Sequence, residues 1–167
     1  TEPPALEDQE MTVTTMENTQ ATSGTTASTA SLDAVSWTLV RVATGLILVP
    51  HGAQKLFGWF GGGGLGGTAQ FFEQNLGLYP GLLFAGLAGA TEFIGGLFLA
   101  LGLLTRLSAA AVVAVMAYAA FVVHWGNGFF WTAGGYEFPL LWGLVALALV
   151  IRGGGPLSLD RVLGWKF

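Results

Sequence analysis

Two histidines, a lysine and two glutamates carry most of the chemistry open to this 167-residue chain: His51, Lys55, Glu92, His124 and Glu137. Lys55 follows His51 by four residues, so the two share a face if their segment is helical. Glu92 stands among small residues, with Ala85, Gly86, Ala88, Gly89 and Ala90 before it and Gly95 and Gly96 after it. Two histidines on different segments could ligate a haem axially. His51, His124 and Glu137 could enter a metal shell, but no spacing enforces one and no metal is assigned. A quinone-like ring could lie between aromatic side chains with its carbonyls bonded to His or Lys, in a mainly apolar pocket with few polar groups. The quinone is the favoured cofactor of the three, and haem the disfavoured one. Each residue also has a plainer use. Lys55 can snorkel to headgroups, Glu137 can favour a helix N-terminus, and a histidine can simply be hydrogen-bonded. Glu92 can be a protonated side chain bonded across a tight helix interface, or else a proton relay or the wall of a polar cavity.

Four apolar runs must position these groups, at residues 37–57, 80–104, 107–125 and 136–151. About 20 residues cross a bilayer core, and a lipid-exposed backbone must satisfy its own hydrogen bonds, so each run is expected to be a helix. The expectation is an all-α, four-transmembrane-helix bundle in the plasma membrane, with residues 37–167 as the membrane domain. Thr105 and Arg106 sit in a short hairpin, with Thr105 expected as an N-cap. Ser158 is expected to cap a short amphipathic C-terminal segment. Gly89, Gly95 and Gly96 offer close helix packing. Arg41, Arg106, Arg152, Arg161 and Lys166 fall on one side and Lys55 on the other, so both termini are expected to be cytoplasmic. Arg41 is an inner charge expected to snorkel, barely able to reach Glu92. By residue count His51, Lys55, His124 and Glu137 share an outer level, and Glu92 lies near the midplane. The run Gly61–Gly67 contains GxGxxG without a preceding strand, and therefore reads as a loop rather than a nucleotide site.

Composition excludes several functions. The hydrophobic share is 53% and the charged share only 10%, against about a quarter charged in soluble domains. There is no cysteine, so disulfides, thiolate metal sites and sulfur carriage on this chain are ruled out. No basic patch exists for nucleic acid. The net charge of −4 belongs to residues 1–36, which hold Glu2, Glu7, Asp8, Glu10, Glu17 and Asp33 and no Lys or Arg. Lacking both regions of a signal peptide, this acidic Thr/Ser-rich extension is expected to be disordered or ordered by a partner.

The stretches RVATGLILVPHGAQKLFG, ATEFIGGLFLALGLLTR, the histidine closing the third run, YEFPLL and PLSLD together resemble the DoxX family over about residues 34–165. The family's polar pattern falls on Arg41, His51, Gly52, Lys55, Glu92, Gly95, Gly96, His124, Glu137 and Asp160. The resemblance implies a four-helix membrane fold and a subunit associated with thiosulfate:quinone oxidoreductase, terminal oxidase or redox-stress complexes. The expected function is thus a multi-pass subunit of a redox or respiratory assembly that contacts quinone near the outer leaflet. Its enzymatic part is at most that of a subunit, since no self-contained catalytic motif is present. The rivals are a non-catalytic accessory or assembly subunit, and behind it a small-molecule transporter. The expected partners are the lipid bilayer and other membrane-complex subunits.

Overall fold

The computed structural model describes residues 6–165, with side chains at Thr29 and from Ser31 onward. Lys166, one of the cations behind the expected orientation, lies outside the described residues. The described residues form helices and their connecting loops, without strands. Helix α1 runs Leu6–Phe57, α2 Gly64–Leu76, α3 Gly81–Leu101 and α4 Thr105–Val123, α5 Glu137–Arg152, and α6 Leu159–Val162. By internal contacts the chain forms two units, divided after Ser36. In the first, the extension is helical from Leu6 as the leading part of α1. The second, from Trp37 onward, holds the core and the candidate site.

Three helical segments are long and apolar enough to cross a membrane: Ser31–Phe57, Gly81–Leu101 and Thr105–Val123, of 27, 21 and 19 residues. Helix α5 has 16 residues, short of that length, and a fourth crossing is therefore not among these. Packing inside the second unit is inverted relative to a water-soluble bundle. Its large apolar side chains face outward, among them Leu39, Leu46, Leu87, Leu97, Leu107, Phe121, Leu144 and Ile151. Small or polar side chains fill much of the inside: Ala85, Ala109, Ala120, Ala146, Thr44, Thr105 and Ser108 are buried. Lipid tails are as apolar as leucine, so close backbone packing and interhelical polar bonds hold such a bundle together. A cluster of Leu48, Leu99, Val112, Met116 and Leu149 forms the apolar core, with Trp37 and Trp142 against it.

Helices α1 and α3 meet on glycines. A methyl on Gly45 would strike the backbone at Gly96 and Ala100, and one on Gly52 would strike the backbone of Gly89 and Phe93. Gly45 and Gly52 are seven apart, which puts them on one face two turns apart, and Gly89 and Gly96 both face α1, against Lys55 and Leu56 and against Gly45 and Leu48. Gly95, expected in this interface, is six residues after Gly89 and off that face. A methyl there would meet only Thr91 of its own helix, at 4.0 Å.

At the end where Arg41, Arg106, Arg152 and Arg161 gather, a polar clip ties the C-terminal segment to the α3–α4 hairpin. Helix α3 stops at Gly102, whose φ of 70° admits the left-handed turn, and Leu103 N–H bonds Phe98 O at 2.9 Å. Arg41 does not snorkel. It is 2% exposed, and its guanidinium donates to Leu99 O (2.6 Å), Ala100 O (2.9 Å) and Leu157 O (2.7 Å). These are carbonyls of a helix end and of a neighbouring loop, natural acceptors for a buried cation. Nor does Thr105 cap α4. Leu104 holds that position with φ 45°, and the Asp160 carboxylate accepts from Leu104 N–H (2.7 Å) and Thr105 N–H (2.9 Å). The cap comes from 55 residues away. Ser158 does cap α6, accepting from Arg161 N–H at 3.3 Å. Asp160→Ala strands two donors and leaves a left-handed leucine unsupported. It is expected to cost about 1–3 kcal/mol, seen as a lower melting temperature in detergent, with Asp160→Asn losing less because one acceptor survives.

Candidate functional site

Helices α1 and α3 run antiparallel, Gly45 lying against Gly96 and Gly52 against Gly89 and Phe93. Lys55, one turn beyond Gly52 on α1, therefore lies level with Gly89, and its long stem reaches back to Glu92, the neighbour of Phe93. Gly89 leaves room for the Lys55 stem, since a methyl there would meet Lys55 Cβ at 3.3 Å. Lys55 Nζ then donates to Glu92 Oε2 at 2.5 Å. The carboxylate side is 6% exposed and the lysine side 27%. Helix α3 widens into a π-turn over Thr91–Gly95 beside this pair, and such bulges recur where a helix presents a functional side chain. Lys55 therefore does not snorkel to headgroups, and Arg41, occupied by carbonyls, is not the partner of Glu92.

The pair borders a cleft of about 860 Å³ between α1, α2, α3, α4 and α5. Leu48, His51 and Lys55 come from α1, Thr68, Phe71 and Phe72 from α2, and Phe84, Leu87, Ala88 and Glu92 from α3. Helix α4 adds Val115, Met116, Tyr118 and Ala119, while Phe138, Pro139 and Trp142 close the α5 side. Apolar atoms dominate this wall, and the polar groups are few: the ion pair, His51, His124, Thr68 and Tyr118. Thr68 reaches back to α1, its hydroxyl donating to Lys55 O at 3.3 Å.

His124 stands where α4 ends. The helix widens over Ala119–Val123 into a second π-turn, closed by His124 N–H to Ala119 O at 2.9 Å. The imidazole Nδ1 lies 2.7 Å from Gly134 O, in a loop packed by aromatic pairs such as Trp125–Tyr136, stacked at 4.7 Å. Glu137, expected at the same level, is not part of the cleft wall. Its Oε2 accepts from Trp131 N–H at 3.0 Å and so shapes this loop. The structure thus brings His51, Lys55, Glu92 and His124 to one cavity and sets Glu137 and Arg41 to other tasks. Tyr118 and Trp142 went unread in the sequence, where they look like ordinary helix aromatics. Gly45 could have been found from its spacing of seven to Gly52. Among the described residues, no three His, Asp or Glu side chains group so as to hold a metal ion.

Outward leucines, glycine-packed helices and three segments of membrane-crossing length define an all-helical integral membrane protein. A sequence model described as DoxX matches residues 36–125, more than half of the chain, and the protein belongs to the DoxX family. It is 39% identical over 105 residues to an uncharacterized protein of Haemophilus influenzae, covering 58% of this chain and 78% of that one. A second uncharacterized protein of the same organism is 33% identical over 76 residues, covering 46% of this chain and 50% of its own length. No solved structure matches.

Proposed function

We propose that this protein is a four-span subunit of a redox or respiratory assembly in the plasma membrane, and that its cleft takes a quinone-class ring. The observation that carries the reading is the cleft itself, about 860 Å³ of mainly apolar wall with Lys55, Glu92, His51 and His124 among its few polar groups. That size and chemistry suit an aromatic ring with an oxygen at its edge. An ionisable pair within membrane-length helices is costly to keep and marks a functional site. The 16 residues of α5 complete the bundle as a short fourth span. Arg41, Arg106, Arg152 and Arg161 lie at the basic end, which makes that end cytoplasmic and the cleft end external.

The test is purification from native membranes in mild detergent, with mass spectrometry of co-extracted lipids and polypeptides. Quinone is expected to co-purify with the wild-type chain. His51→Ala with His124→Ala is expected to remove it and to slow quinone-linked electron transfer in the same membranes. A wild-type chain that carries no quinone, in membranes whose electron transfer ignores both substitutions, would leave only an accessory role.

A further inference from the structure

We infer that the cleft selects a ring that donates a hydroxyl, a hydroquinone or phenol, over one that only accepts, such as the oxidised quinone or a phenol ether. The inference rests on the proposed ring-binding cleft and adds which form of the ring it takes.

The preference originates in His124. Its Nδ1 is 2.7 Å from Gly134 O, and a carbonyl oxygen can only accept, so Nδ1 carries the proton. In the neutral ring Nε2 is then a bare lone pair that can only accept. The carbonyl is itself fixed. Gly134 has φ 75°, its N–H bonds Trp131 O at 2.8 Å, and Asn127 Nδ2 donates to the same Gly134 O at 3.1 Å. The tautomer is therefore held by backbone geometry rather than by a side chain free to turn.

The other cleft groups complete the count. Glu92 is an acceptor, and Lys55 is a donor already committed in part to Glu92 at 2.5 Å. The His51 ring and the Tyr118 hydroxyl can each serve in either sense, while the Thr68 hydroxyl, its proton given to Lys55 O, is left an acceptor. His124 is thus, like Thr68, a group fixed as an acceptor, and a ligand without an O–H leaves it unsatisfied. An acceptor oxygen placed against that lone pair would meet repulsion instead of a bond, whereas a hydroxyl gains one.

The experiment uses the full chain in nanodiscs at about pH 8, above the ordinary histidine range near 6.5, under anaerobic conditions. Titration calorimetry compares a short-tailed hydroquinone, its dimethyl ether and the matching quinone. The wild type is expected to bind the hydroquinone about tenfold or more tightly than the ether or the quinone. His124→Phe should weaken the hydroquinone alone and close the gap, and His124→Gln, which restores an acceptor oxygen, should reopen part of it. Nitrogen NMR of labelled histidine should show Nδ1 protonated, with the Nε2 resonance moving on hydroquinone binding. Ether or quinone binding as tight as hydroquinone overturns this inference while the ring-binding cleft stands. If none of the three binds the wild type, the cleft reading falls and this inference with it.

Discussion

Gly52→Leu is expected to leave almost no monodisperse protein after extraction in mild detergent, and any that survives should melt far below the wild type. The cause is steric. A Cβ at this position would lie 2.7 Å from Gly89 O and 2.7 Å from Phe93 Cβ, with the Phe93 backbone nitrogen closer still. Overpacking a core commonly costs about 1–3 kcal/mol when neighbouring side chains can shift. Here the obstacles are backbone atoms of α3, which cannot turn aside, so α1 and α3 must part. Parting them also separates Lys55 from Glu92 and opens the cleft wall, so one substitution loses helix packing and an ion pair together. Gly95→Leu is the control, since it points away from α1 and meets only Thr91 at 4.0 Å. Gel filtration and thermal melting of the two variants distinguish the cases. A Gly52→Leu protein that elutes and melts like Gly95→Leu would show that α1 and α3 do not meet as described.

The contrast between Gly52 and Gly95 also marks how far the sequence could be read. Helices were legible because a lipid-facing backbone leaves no other choice, and α3 and α4 fall within a few residues of the apolar runs. Small residues around Glu92 announced a close contact, but only geometry separates Gly89 and Gly96 from Gly95. Lys55 and Glu92 looked unrelated because depth was counted along each run. The antiparallel pairing of the Gly45–Gly52 face with α3 and the π-turn at Thr91–Gly95 bring the two together, and residue spacing gives neither. Arg41 was misread for a different reason. Its partners are carbonyls of Leu99, Ala100 and Leu157, and every residue type has a carbonyl, so no pattern could name them. Asp160 capping a helix that starts at Thr105 is the same kind of event, a local need met from a distant part of the chain. His51 and His124 were legible as candidates by type, whereas Glu137 shared their level and not their cavity.

Lys55→Met is expected to destabilise the protein more than Glu92→Leu does, and the double variant is expected to be less destabilised than Lys55→Met alone. Removing one member of a desolvated pair strands the other, typically at about 3–5 kcal/mol, whereas replacing both with apolar groups is often neutral or better. The two members are not equally desolvated, with the Glu92 side chain 6% exposed and that of Lys55 27%. Loss of Lys55 leaves a buried carboxylate without its partner. Loss of Glu92 leaves an ammonium on a long stem that can turn toward the open side, where solvent screens it and the cost is smaller. Thermal unfolding of the wild type, both single variants and the double variant in one detergent gives the coupling directly. Should Glu92→Leu prove the costlier single change, the carboxylate is not the buried partner and the pair sits differently in the bundle. A double variant that melts like the wild type yet no longer retains quinone would carry a sharper meaning. The ion pair would then contribute nothing net to stability, and its place within the membrane would be accounted for by the cleft.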